Sequence, residues 1–358
     1  MCTDVPVLRD DVLTLRGHRA DDVDRVLEMA SDPEMGRWTT VPTPYTRADA
    51  ESFVFETVPR GWSDGSAMSW AIEYDNRFVG NVDIRGQGVV ADIGFALHPD
   101  ARGRGLMHRA VELALAYAFG QAGKRVVQWK APVGNLASLR VAHACGFTLD
   151  ARVPDMIDLR GDVRDAWCGS IRAGDSTDPK STWWATTFET ERFRLRPLAE
   201  TDDERIRETL DDPVSRTYLF GRPSPLTIEH AAAERTRKWW TAARGETCTW
   251  AVTDPADDLY LGDITLLDID EVTGAEAGFY THPDSRGIGA LGETFPAVVE
   301  HAFDVLGLRR LTLFAADSNT GSKALAESAG FRWFGTQPLA ARSGGVFEDL
   351  VGYELLRP

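Results

Sequence analysis

The sequence predicts an α/β protein (an α+β mixed sheet) in which one domain design is used twice along 358 residues, each copy a mostly antiparallel sheet flanked by helices. Three observations lead there. A strand, a glycine turn and a helix follow one another from Asp92 to Phe119. The same signature returns from Glu276 to Phe303, and the length suits two domains of ordinary size.

In the first copy Ile93, Phe95 and Leu97 alternate as a strand, which His98-Pro99-Asp100 stops because proline has no N–H to give a ladder. Arg102-Gly103-Arg104-Gly105 then leads into Leu106, Ala110, Leu113, Ala114 and Tyr117, an apolar set at helical spacing. The first N–H groups of a helix lack intrahelical acceptors and carry roughly half a positive charge. Glycines let the backbone approach an anion closely, and two arginines add charge, so the turn suits a pyrophosphate. One such turn is also compatible with an ordinary strand-to-helix connection.

The repetition argues for more. His98 and His282, Arg102 and Arg286, Gly105 and Gly289, Asn135 and Asn319, Ser138 and Ser322, and Asp165 and Asp349 all stand 184 positions apart. Upstream the offset is 180, from Leu15-Arg16 against Leu195-Arg196, through Asp32-Pro33 against Asp212-Pro213, to Trp70-Ala71 against Trp250-Ala251. The four extra residues are expected near Thr253 to Leu261, in a hairpin loop, where length changes cost little. Expected boundaries are 1–174 for the first domain, a polar, turn-rich linker over 175–187, and 188–358 for the second.

Within the first domain, Leu13 to Arg16 reads as a strand, and Ala20-Asp21-Asp22 opens a helix with Val23, Val26, Leu27 and Met29 inward. Residues 31–66 read as a loop and a second helix, and a hairpin turns around Asp75-Asn76-Arg77. After the glycine-turn helix come a strand over 125–130, a helix from Asn135 ended by Gly146, and two strands around the turn 160–163.

Composition narrows the function. A net charge of −16 argues against nucleic acid and mildly favours a cationic acceptor. No run of eighteen apolar residues appears, and the acidic N-terminus does not resemble a signal peptide, so a cytoplasmic protein with no membrane partner is expected. Cys2, Cys145, Cys168 and Cys248 show no metal-ligand spacing.

Strand, Arg-x-x-Gly-x, helix, strand, then Asn-x-x-Ser and Gly-Phe resembles the GNAT superfamily of acyl-CoA-dependent N-acyltransferases. Leu-x-Leu-Arg at the start and Arg-Gly-Asp-Val-Arg-Asp at 160–165 are similar to its ribosomal-protein N-terminal acetyltransferase branch (RimJ/RimL-like). The likeness covers almost the whole chain, twice. It implies acetyl-CoA (coenzyme A) as cofactor, its pyrophosphate on Arg102, Gly103, Arg104, Gly105, Leu106 and Met107, and on Arg286, Gly287 and Gly289 through Leu291. Met107 and Leu291 depart from the family's usual glycine or alanine.

The resemblance further implies Asp92 and Glu276, at matching positions, as bases that deprotonate an amine, and backbone N–H groups around Phe95, Ala96 and Leu97, where the strands of the family splay, as donors to the acetyl oxygen. Many members place a tyrosine seven residues after the motif asparagine to protonate the thiolate; here Ala142 and Ala326 stand there, leaving Ser138 and Ser322 as nearest substitutes. Asn135 and Asn319 are read either as coenzyme ligands or as helix caps. Trp38, Tyr45 and Trp62, with Phe53, are candidates for the wall of the acceptor site, against the alternative that they are core.

The implied reaction is N-acetyl transfer to a primary amine, either a peptide α-amine or a small cationic amine such as an antibiotic. Two alternatives stand beside it: a transferase with a larger acyl donor, and a non-catalytic tandem module that binds coenzyme A or a partner protein. The first domain, with Arg104 where the second has Ile288, is favoured as the main coenzyme site. A monomer with pseudo-dimeric halves or a homodimer is expected. Rossmann-type binding fits less well: the first copy has His108 at the third glycine position, and the second turn lies about a hundred residues into its domain.

Overall fold

A computed structural model describes residues 5–182, 186–219 and 223–357. The chain divides into two compact units, Met1–Lys180 and Ser181–Pro358. In the first, β1 (Leu8–Arg9), β2 (Thr14–Arg16), β3 (Ala67–Tyr74), β4 (Arg77–Arg85), β5 (Val90–Leu97), β6 (Val126–Pro132), β7 (Thr148–Leu159) and β8 (Asp162–Arg172) form a sheet ordered β1-β2-β3-β4-β5-β6-β8-β7. Its helices are α1 (Val23–Ala30), α2 (Pro33–Trp38), α3 (Arg47–Ser52), α4 (Val58–Asp64), α5 (Leu106–Gly120) and α6 (Leu136–Ala144).

The second unit repeats the plan. Strands β9 (Phe188–Glu189), β10 (Arg194–Arg196), β11 (Cys248–Thr253), β12 (Tyr260–Asp270), β13 (Gly274–Thr281), β14 (Arg310–Ala316), β15 (Arg332–Ser343) and β16 (Val346–Leu356) take the corresponding order. Helices α7 (Asp203–Asp211), α8 (Pro213–Tyr218), α9 (Ile228–Ala243), α10 (Ala290–Asp304) and α11 (Thr320–Ser328) accompany them. Among the described residues, no helix is long and apolar enough to cross a membrane.

The repeated motifs have structural reasons. Arg16 and Arg196 each grip, with two nitrogens, the aspartate that opens the first helical stretch: Asp22 at 2.7 and 2.9 Å, and Asp202 at 2.8 Å twice. Both pairs lie inside the fold, where an arginine without its carboxylate would be a costly unpaired charge. Trp70 and Trp250 are fully buried and donate their indole N–H to Pro6 and Thr186, at 2.9 and 3.0 Å. Gly80 and Gly262 face the strand beyond them so closely that a Cβ would stand 2.3 Å from a carbonyl oxygen.

The insertion falls differently from expectation. Trp70 faces Val82 while Trp250 faces Ile264, a separation of 12 residues against 14. Val82 then faces Phe95 and Ile264 faces Phe279, 13 against 15. The four residues are therefore two in each of two consecutive hairpins, and only the first pair lies near Thr253 to Leu261. A total offset cannot show that division. The stretch expected as a linker is partly docked, since Lys180 donates to Thr148 Oγ1 at 2.7 Å.

His18 stands where the second unit has the buried Leu198. Both its ring nitrogens are shut off from solvent without a hydrogen-bond partner, although part of the residue is exposed, and burial pushes its pKa down to about 4. A base held neutral in the fold binds fewer protons than in the unfolded chain, so its contribution to stability is present above pH 6.5 and lost as pH falls towards 4. At pH 5 that amounts to about 2 kcal/mol. His18→Leu is expected to narrow the drop in melting temperature of the full chain between pH 7.5 and 5; an unchanged drop would contradict this account of His18.

Candidate active site

Each sheet opens at the place where the glycine turn begins. Strands β5 and β6 run parallel and pair only at Val90–Val126, Ala91–Val127 and Asp92–Gln128; β13 and β14 pair only at Ala275–Leu311 and Glu276–Thr312. Beyond these pairs the ladder ends and the strands part. Phe95, Ala96 and Leu97 lie on the free stretch of β5, which is the splay expected there.

At the mouth of each gap a helix starts from a left-handed glycine, Gly105 at φ +72° for α5 and Gly289 at φ +83° for α10. This sign of φ is cheap only for glycine. Nothing lies within 4 Å of where a Cβ would stand on Gly103, Gly105 or Gly287, which leaves the turns open to an incoming group. Leu106 and Ala290, at matching positions, are the first helical residues, so the two helices start in the same register. Met107 is buried in the core.

The turn arginines have a task that the motif does not announce. Arg102 reaches Asp32 at 2.5 Å, and Arg286 pairs with Asp212; these aspartates open α2 and α8. Arg102 and Arg286 thus tie each glycine turn to the start of α2 or α8.

In the second unit these parts surround one cleft of ≈ 940 Å³. Its walls are the turn (Arg286, Gly287, Gly289), the free stretch of β13 from Glu276, the start of α11 with Asn319 and Ser322, and the faces of α8 and α9 with Tyr218 and Lys238. All the second-half candidates are therefore brought together, in the half that counting arginines had placed second. Burial, reinforced by the nearby charge of Asp268, pushes the Glu276 carboxyl above its ordinary value. A base shifted this way is better matched to an amine proton than an exposed glutamate. Asp268→Asn is expected to move the acid limb of the kcat/KM profile to lower pH, because Glu276 then ionises more easily; a limb moving up would contradict this.

Two charges beside this cleft were not singled out in the sequence. Lys238 Nζ meets Asp263 Oδ1 at 2.7 Å, and the Tyr260 hydroxyl donates to Asp263 Oδ2 at 2.7 Å, all three residues buried. Their partnership crosses 25 residues between α9 and β12, a distance no local motif encodes.

The first unit distributes its charges otherwise. Asp92 lies 3.6 Å from Lys130 Nζ, so its carboxylate already faces a cation. On the same face Asp83, missed by the sequence reading, is pushed up to about 6 by burial, against the pull of Arg85 at 2.8 Å. Its signal was the alternation Asn81-Val82-Asp83-Ile84, in which the two apolar residues claim the core. Ser138 Oγ accepts the Trp129 indole N–H at 2.9 Å, a contact without a counterpart at Ser322, where Leu313 replaces the tryptophan. Asn135 and Asn319 both cap their helices, accepting from Ser138 and Ser322 at 3.1 Å.

Of the expected acceptor wall, Trp62 is half-buried. Its ring packs edge-on against Trp70 and Tyr117, and its N–H is spent on Ser69 O at 3.0 Å. Tyr45 and Phe53 pack against the cluster of Val23, Val26 and Val54. Trp38 is tied to Glu34 at 2.8 Å within α2 and is partly exposed.

A family model described as Acetyltransferase (GNAT) domain matches residues 12–148 and 192–332. The "Probable N-acetyltransferase YjcK" of Bacillus subtilis (strain 168) is 25% identical over 169 residues, 46% of this chain and 93% of that protein. The "Putative ribosomal N-acetyltransferase YdaF" of the same organism is 31% identical over 173 residues, 47% of this chain and 92% of that protein. Among solved structures, Mycobacterium smegmatis RimJ in complex with CoA-disulfide matches at TM-score 0.46 with 17% identity, over 49% of this chain and 90% of that one. The chain belongs to the acetyltransferase (GNAT) domain family and carries that domain once in each half.

Proposed function

We propose that the chain transfers an acetyl group from acetyl-CoA to a primary amine in the cleft of its second half, with Glu276 as the base. The observation that carries this reading is the cleft in which the glycine turn, the raised carboxyl of Glu276 and the faces of α8 and α9 meet. The residues fit the coenzyme: Gly287 leaves room for a diphosphate at the N-terminus of α10, and the gap between β13 and β14 admits the pantetheine arm. Coenzyme A supplies the acetyl thioester and the diphosphate by which it is held.

The chain's own residues do the rest. Glu276 takes the proton of the incoming amine, directly or through a water, and its partial burial makes that transfer less uphill than to an exposed glutamate. The free edge of β13 after Glu276 donates N–H groups to the acetyl oxygen. Ser322, at the start of α11, stands beside the sulfur's exit; a thiol of pKa about 8.5 leaves without full protonation, so the missing tyrosine is tolerable.

An α-amine is the favoured acceptor. Neutralising it at pH 7 costs about 1 kcal/mol, against about 4–5 for a lysine-like amine, which a single carboxylate base handles less well. The naming of YdaF as a ribosomal N-acetyltransferase supports a protein amine as acceptor. A panel of peptides and free amines, followed by thiol release from acetyl-, propionyl- and succinyl-CoA, tests both donor and acceptor. Turnover only on side-chain amines would overturn the α-amine assignment.

A further inference from the structure

We propose that Arg192 is a positioning residue that holds the glycine turn of the second half in its anion-binding orientation, supplying from the N-terminal strands the charge that Ile288 lacks. This rests on the coenzyme reading of that turn. Arg192 lies in the bend between β9 and β10, and its Nη1 donates to the Ile288 carbonyl at 3.2 Å. Its Nη2 stands 3.1 Å from where a Cβ on Gly289 would be. Because a trans peptide sets C=O and N–H on opposite sides, drawing the Ile288 carbonyl towards Arg192 turns the Gly289 N–H the other way. Gly287, Gly289 and Ala290 line the cleft, so a fixed peptide there is a fixed donor to the diphosphate.

Arg192 is itself clamped. Its Nε meets Glu293 Oε2 at 2.7 Å, and Glu293 Oε1 accepts from the Arg192 N–H at 2.8 Å and from Thr190 Oγ1 at 2.6 Å. The hydrogen bond from Thr190, with those from Arg192, holds the Glu293 carboxyl below its usual range. The first half joins the same bend and helix through other positions: Val12 stands in place of Arg192, and Arg109, in place of Glu293, goes to Asp10 and Asp11 at 2.7 and 2.6 Å. There the turn already carries Arg104. The difference is what a turn needing charge from elsewhere would require.

Arg192→Gln and Glu293→Gln in the full chain, assayed with acetyl-CoA and with S-acetylpantetheine, which lacks the diphosphate, test this. With acetyl-CoA, Arg192→Gln is expected to raise KM about tenfold, as for the loss of one charge-assisted hydrogen bond, with kcat nearly unchanged. Arg192→Lys is expected to restore part of the loss, Glu293→Gln to give a milder rise, and KM for S-acetylpantetheine to stay where it was. Equal losses with both donors, or no loss with acetyl-CoA, would overturn the role of Arg192. Equal KM values for the two donors in the unsubstituted protein would instead sink the coenzyme reading, and this role with it.

Discussion

Glu276→Gln is expected to lower kcat by about 10²–10⁴-fold, the usual worth of a positioned general base, while KM for acetyl-CoA changes little. The amide keeps the shape of the side chain and loses only the ability to take a proton. Burial already disfavours the ionised carboxylate here, so the neutral amide should leave the fold intact or slightly firmer. The acid limb of the pH profile should flatten in the variant, because it reports the same group. Asp92→Asn is the matched control in the first half, where Lys130 holds the carboxylate. A full effect there with none at Glu276 would reverse the assignment of the working half.

Gly289→Glu is expected to raise KM for acetyl-CoA by on the order of 100-fold or more, since it sets a carboxylate where the diphosphate should sit and forces φ +83° on a residue with a Cβ. That Cβ would also crowd Arg192. Gly105→Glu imposes similar backbone strain at φ +72° without such a neighbour, so it separates general damage from loss of the working site. Steady-state rates of the two variants, each checked by its melting curve, give the comparison. Turnover abolished by Gly105→Glu and spared by Gly289→Glu would contradict the account.

Much of the architecture was legible because duplication turns residue numbers into structure. The matched Leu-Arg pairs, the buried tryptophans and the Arg-Gly-x-Gly turns all occupy equivalent places in the two sheets. What escaped depends on residues distant in sequence. Asp32 and Arg102 stand 70 positions apart, and nothing local in Asp-Pro or Arg-Gly announces that they meet. Nothing local to Trp62 announces that its ring packs against Tyr117. The preference for the first half rested on counting arginines within the turn. That count missed Arg192, which reaches the second turn from 96 residues away.

Hydrogen exchange of the full chain with and without acetyl-CoA tests the central claim most directly. The account predicts that the coenzyme slows exchange of the amides over 276–281 and 286–292, with a smaller change over 92–108. Protection confined to 92–108, with the second-half turn unaffected, would contradict it.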